Sequence, residues 1–278
     1  MGNMVRRSPT GLDTSVPNLA RMTDYFLGGK DNFAADRQAA EQVLAVAPEI
    51  RDMAREGRSF LGRAVRYLTE QGIDQFLVLG SGLPSRHNIH QIAQSLRPDA
   101  RVVYIDDDPV VLSHCQALLV TNPRTTVVRG DVLHPDEMLS DPELLRLIDL
   151  DRPVAVLIGS ALQFIPDEDD PFKSVALLRD SMTADSHLVI AHAVFGMCPE
   201  VAEPVFNVYR QALGRDQNVS RTRAQVLRFF DGLELVDPGL VHLRHWRPDN
   251  PLTSQVPEKT WAVAGVARKT DGRRGRPS

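Results

Sequence analysis

Apolar residues fall along this chain in two alternating rhythms, and the alternation predicts a sheet interleaved with helices. Two unbroken runs, Phe76-Leu77-Val78-Leu79 and Val102-Val103-Tyr104-Ile105, have the length and character of strands buried on both faces. Further strands are predicted at residues 125–128, 154–158, 187–192, 233–236 and 261–267. Elsewhere the spacing lengthens to the helical period. Residues 34–71 hold two helices divided at Pro48. The second sets Ile50, Met53, Ala54, Phe60, Leu61, Ala64, Val65 and Leu68 close to a 3.6-residue stripe, and Gly72 is placed to end it. A helix-like stretch follows the first strand. Asp108 then Pro109 reads as a helix cap followed by a first-turn proline, continued by Val111, Leu112, Cys115, Leu118 and Leu119. Residues 172–182, 199–213 and 222–230 are also helical in pattern.

Strand alternating with helix specifies an α/β fold with a Rossmann-like, doubly wound, mostly parallel sheet. Seven strands are expected. The last two lie close together without a strong crossover helix between them, which makes the final strand antiparallel. The predicted division is an N-terminal segment and helical cap over 1–72, the sheet domain over 73–269, and a disordered basic tail over 270–278.

Composition narrows the function classes. A chain of 278 residues with 42% hydrophobic and 24% charged content can bury a sizeable core. Its net charge of -4 supplies no general attraction to nucleic acid or to a membrane surface, so neither is an expected partner. No apolar run approaches the ~20 residues that span a bilayer. The opening stretch, with Arg6, Arg7 and Pro9, lacks the apolar segment of a secretion signal. Cys115 and Cys198 are therefore expected as reduced thiols, and the protein as cytoplasmic.

The candidate chemistry centres on Gly80-Ser81-Gly82-Leu83-Pro84, directly after the first strand, and on Asp106-Asp107-Asp108, at the end of the second. Strand, glycine turn, helix, strand and acidic tip build half of a nucleotide-binding sheet. Gly80 and Gly82 let the backbone bend sharply and approach a ligand. Asp106 lies 24 residues after Gly82, near the dinucleotide spacing, and could accept hydrogen bonds from two ribose hydroxyls. The third glycine of a dinucleotide fingerprint is replaced by Ser85, and Pro84 removes an amide donor that a pyrophosphate would want. A ligand with ribose and adenine but no phosphate, such as S-adenosyl-L-methionine, suits this turn better than NAD.

Other polar clusters read more simply. Asp167-Glu168-Asp169-Asp170 precedes a helix, where acids serve as caps and meet the helix dipole, so a metal is not needed to explain them. His87, His90, His192, His242 and His245 lack the close spacing of zinc ligands, and no metal site is predicted. His192, ending the fifth strand on the ligand-binding rim, is the candidate general base; the alternative is a polar strand-end residue. Ser81 and Ser160 lack the flanks of a nucleophile elbow. Cys115, Trp246 and Trp261 are read as core.

Several blocks together carry a resemblance. Asp13 to Asn18, Tyr25-Phe26-Leu27-Gly28-Gly29-Lys30-Asp31-Asn32-Phe33, the glycine turn, Tyr104 to Pro109, Phe164-Ile165-Pro166-Asp167, Phe229 to Val236 and Trp246-Arg247-Pro248 span nearly the whole chain. They resemble a family of class I S-adenosyl-L-methionine-dependent methyltransferases whose substrates are largely unassigned. The resemblance implies that Gly80, Ser81 and Gly82 lie beneath the methionine and ribose of the cofactor, with Asp106 on the ribose hydroxyls and Asp107 beside the adenine. It sets Asp131 and Val132 near the adenine amino group, and Gly159, Ser160 and Ala161 at the sulfonium and the methyl acceptor. Tyr25, Gly28, Gly29 and Asn32 belong to a block that would close over the cofactor as a lid; structurally it could instead be a turn between two helices.

Two positions depart from the superfamily pattern. Val78 stands where an acidic residue usually supports the cofactor's amino group, and Gln163 stands where a histidine often follows strand four. A glutamine cannot act as a base at neutral pH. The implied activity is methyl transfer to a small-molecule acceptor, by a protein that could be a homo-oligomer. The alternatives are a non-catalytic cofactor-binding or sensor protein, motivated by Val78 and Gln163, and an NAD-dependent oxidoreductase, disfavoured by Pro84 and Ser85.

Overall fold

A computed structural model describes residues 13–85, 87–214, 219–250, 252 and 260–271. Residues 1–12 of the predicted N-terminal segment and all but the first two residues of the predicted tail lie outside the described residues. Three helices come first: α1 (Leu19–Phe26), α2 (Ala34–Val46) and α3 (Ile50–Glu70). The sheet then alternates β1 (Gln75–Leu79), α4 (Ile89–Leu96), β2 (Arg101–Asp106), α5 (Pro109–Leu118) and β3 (Thr125–Arg129). Short helices α6 (Pro135–Leu139) and α7 (Pro142–Leu147) lead into β4 (Ala155–Ile158), α8 (Pro171–Ser181) and β5 (His187–Ala193). After α9 (Pro199–Leu213) and α10 (Arg223–Leu227), the sheet closes with β6 (Glu234–Leu235), β7 (Val241–His242) and β8 (Ala262–Arg268).

The sheet runs β3-β2-β1-β4-β5-β8-β6, with β7 also paired to β8. Strands β1 to β5 are parallel, and β8 is antiparallel to β5 through seven paired residues, from His187 opposite Arg268 to Ala193 opposite Ala262. The fold class and the antiparallel final strand match the sequence pattern. The strand count does not: β7 makes eight strands instead of seven. With only two residues it is too short to show a period of its own. The chain winds outward from β1 through β2 to β3, then returns to lay β4 on the other side of β1. Loops at the carboxyl ends of β1 and β4 therefore diverge and leave a crevice, which is where ligands bind in open α/β sheets.

Period-two alternation divides the sheet between two cores. Leu77, Leu79, Val103, Ile105, Val156 and Ile158 face one side with Met138, Leu144, Leu178 and Val226. Phe76, Val78, Val102, Tyr104, Ala155 and Leu157 face the other with Phe60, Ala64, Leu68, Ile89, Val111 and Cys115. A third cluster joins Met22 and Phe26 of α1 and Val43 of α2 to Phe206 and Tyr209 of α9, against Ala193, Phe195 and Trp261. The first helices are thereby fixed near the carboxyl end of β5. Among the described residues no helix is long and apolar enough to cross a membrane.

Candidate active site

The turn after β1 and the tip of β2 are built as one unit. Gly80 and Gly82 both take φ +63, a left-handed backbone that side chains resist. A Cβ on Gly80 would also sit 2.9 Å from the Cβ of Ala161, whereas the space over Gly82 is open. The Ser81 amide donates to Ile105 O at 3.1 Å, and the Gly82 amide donates to Asp106 Oδ2 at 3.0 Å. Asp106 Oδ1 accepts from the Asp108 amide at 3.1 Å. An ionised carboxylate has about four acceptor sites, so the side chain is oriented by the backbone and keeps capacity for further donors. Burial to 7% exposure raises its pKa, and the two amide bonds work against that rise. Asp107 is exposed, and Asp108 caps α5 by accepting from the Val110 and Val111 amides at 2.7 and 3.1 Å.

The neighbouring strand ends converge on this unit. The Gly130 amide donates to Asp106 O at 3.1 Å, bringing the exit of β3 beside that of β2. Asp131 folds onto its own turn, accepting from the Leu133 amide at 2.9 Å, and Val132 is buried in the core. Gly159, at the end of β4, shares a small cavity with Gly80, Ser81, Gly82, Val78, Tyr104 and two residues of α3, Arg58 and Leu61. Ser160 is exposed and Ala161 half-buried. Val78 fills core, as its place in an apolar run implies.

The block from Tyr25 to Phe33 is organised by Asp24, a residue that no sequence motif marks. Its buried carboxylate accepts from the Asp31 amide at 3.0 Å and from Asn32 Nδ2 at 2.7 Å. Gly29 packs so tightly on it that a Cβ there would lie 1.9 Å from Asp24 Oδ1. Tyr25 turns its hydroxyl to Glu41, away from the cavity. At the other end of α1, its N-cap Asn18 ties the helix to the nucleotide half of the sheet: Asn18 Nδ2 donates to Asp108 Oδ2 at 2.6 Å. The block is thus the end of α1 and the turn that follows it, and none of its four candidate residues lines the cavity itself. Gly29→Ala is expected to displace Asp24 from both bonds and to cost about 1–3 kcal/mol, read as a lowered denaturation midpoint.

At the far side, Gln163 Oε1 accepts from the Ala193 amide at 2.9 Å, closing the end of β4 onto β5. His192 has both ring nitrogens engaged: Nδ1 lies 2.6 Å from Ala193 O, and Nε2 lies 3.1 Å from Nη1 of Arg221. The two contacts define one tautomer, with the proton on Nδ1 donated to Ala193 O, and leave neither nitrogen free to take a proton from a substrate. Burial is the main cause that lowers its pKa to about 4. Arg221 also donates to Leu162 O, Ile165 O and Asp167, so one acid of the predicted cluster is an ion-pair partner; another, Asp170, caps α8. Nothing in the local sequence marks Arg221; its partners are 29 to 59 residues away. Among the described residues no three His, Cys, Asp or Glu side chains are grouped to hold a metal ion.

The chain matches the model of a family described as S-adenosyl methyltransferase over residues 6–270. It is 40% identical to a candidate methyltransferase from Thermobifida fusca YX, with 95% of this chain and 98% of that one covered and a TM-score of 0.88. A DUF574 family protein from Streptomyces avermitilis MA-4680 is 38% identical over 92% of this chain and 99% of its own, with a TM-score of 0.85. The plantazolicin methyltransferase BamL, solved with a desmethyl substrate analogue and SAH, shares the fold at 9% identity over 91% of this chain and 96% of that one (TM-score 0.55). A search of curated proteins gave no match. With the match running from residue 6 to residue 270, the chain belongs to the S-adenosyl methyltransferase family, with S-adenosyl-L-methionine as its cofactor.

Proposed function

We propose that the protein transfers the methyl group to a small-molecule acceptor in the cytoplasm, at the crevice between the ends of β1 and β4. The observation that carries the cofactor's placement is Asp106, held by the Gly82 and Asp108 amides beside the open face of Gly82. Its remaining lone pairs suit a ribose diol, and the glycine turn suits the backbone's approach to the adjoining chain of the ligand. Asp107 and the Asp131-Val132 turn would flank the adenine, and Gly159, Ser160 and Ala161 the acceptor side. Tyr25, Gly28, Gly29 and Asn32 would act as a fixed wall near the cofactor more than as a moving lid, because Asp24 already pins that turn and Asn18 anchors the start of α1. Acidic net charge argues against nucleic acid as the acceptor. A homo-oligomer is compatible with this reading.

The cofactor supplies a methyl group already activated by its sulfonium. This chain's residues would then orient the two reactants in line and exclude water. His192 and Gln163 are both engaged with the backbone, so the reading favours acceptors that arrive as nucleophiles and need no base from these two positions.

Calorimetric titration with S-adenosylmethionine, S-adenosylhomocysteine and NAD tests the placement. Both adenosyl ligands should bind, NAD should not, and Asp106→Ala should weaken binding roughly 100-fold or more by removing charge-assisted bonds to two hydroxyls. Unchanged affinity in Asp106→Ala would place the ribose elsewhere, and tight NAD binding would revive the oxidoreductase reading.

A further inference from the structure

Arg58 is a cation at the cofactor crevice that meets no anion among the described residues. It stands on α3 and lines the cavity formed by Leu61, Val78, Gly80, Gly82 and Gly159. Its Nη2 donates to Asn88 Oδ1 at 3.1 Å, while its Nε is buried without a hydrogen-bond partner. No carboxylate among the described residues forms an ion pair with it, and burial pulls its pKa below the ordinary arginine value. Folding alone gives no reason to keep an unpaired guanidinium in such a place, since an apolar side chain of similar size would avoid the desolvation.

Resting on the cofactor reading above, we propose that Arg58 binds the terminal carboxylate of the cofactor's methionine arm. The guanidinium offers a planar fork of donors that matches a carboxylate. Across the same cavity, Gly82 is joined to Asp106, the carboxylate assigned to the ribose diol. A cation at one end and an oriented carboxylate at the other complement a nucleoside that carries an amino acid. Val78 completes the match: with an aliphatic side chain at this wall, nothing there repels an incoming carboxylate or competes for Arg58. Arg58 thereby selects adenosyl ligands that retain the amino-acid end.

The test compares S-adenosylhomocysteine with 5′-methylthioadenosine, which has the same adenine, ribose and sulfur but no carboxylate. In the wild-type protein the first should bind far more tightly. Arg58→Met should lower its affinity on the order of 10- to 100-fold, leave 5′-methylthioadenosine unchanged, and leave the ligand-free protein at least as resistant to heat as before. Asn88→Asp gives a second variant with Arg58 intact. Asn88 is the N-cap of α4, where aspartate serves equally well, and its carboxylate would pair with Arg58. It should reproduce the selective loss. Equal weakening of both ligands, no weakening of either, or a marked loss of ligand-free stability in Arg58→Met would overturn this role. Wild-type protein that binds neither ligand would instead overturn the cofactor placement on which it rests.

Discussion

Arg221→Ala is expected to destabilise the protein by about 3–5 kcal/mol, the range for breaking a buried charged network by removing one partner. Arg221 is 1% exposed and serves four groups at once: the carbonyls of Leu162 and Ile165, the Asp167 carboxylate, and His192 Nε2. Its guanidinium also lies 5.4 Å from the ring centre of Phe172 and 5.3 Å from that of Phe229. Truncation would strand the two carbonyls and open a cavity between the rings. Asp167 is half-exposed and can return to water, so Asp167→Asn should cost no more than about 1 kcal/mol. Lysine at 221 offers a point charge in place of a fork and should fall between these limits. Chemical denaturation of the three variants measures the order, and the alanine variant should melt on the order of 10 °C lower. Stability within about 1 kcal/mol of wild type would show that the loop after β4 is held by packing alone.

That loop also shows where sequence is legible and where it is not. The glycine turn, Asp106, and the Asp108-Pro109 start of α5 could be read because each is a local device, complete within a few residues. The strands β1, β2, β4 and β5 could be read because burial on both faces makes them near-continuous apolar runs, whereas β3, at the sheet edge, shows itself only by the β-branched residues Thr125 to Val128. α1 carries a local start signal, since Asn18 caps it by accepting from the Ala20 and Arg21 amides, but at eight residues it spans little more than two turns and shows almost no period. Asp24 and Arg221 were not accessible, since each acquires meaning only from groups brought close by folding. Arg58 lies between these cases. It falls four residues after Ala54 and three before Leu61, on the apolar stripe of α3, so a charge at a core position was visible without the structure. What it faces was not. His192 shows the converse, a residue whose position on the rim suggested chemistry and whose bonds assign it to the scaffold.

Acidification should destabilise the folded chain well before its ordinary carboxylates titrate. His187 and His192 are buried, and burial lowers both pKa values to about 4 from 6.5. A base whose pKa is depressed by folding binds its proton more readily when unfolded. Stability is therefore full above the unfolded value, falls as pH drops through 6.5, and reaches its floor below the folded value near 4. Between pH 7 and pH 5 the two sites together should remove about 4 kcal/mol, a large share of the roughly 5–15 kcal/mol that holds a typical domain. The physical causes are specific. Protonating His192 would turn Nε2 from an acceptor into a donor against Arg221, with Asp167 as the compensating charge among the described residues. His187 has an unpartnered buried Nδ1 and the Arg268 charge beside it, partly offset by Asp185. Asp24 and Asp106 act in the opposite sense, because burial raises their pKa values and protonation then favours the folded state; their compensation belongs to the acid end of the range. Denaturant titrations at pH 7.5, 6 and 5 measure the slope; His90, whose pKa burial also lowers, adds in the same sense, so His187→Leu should remove no more than about half of it. A flat profile from pH 7.5 to 5 in the wild-type protein would mean that both imidazoles gain a proton in place, and that the Arg221 network rearranges to receive it.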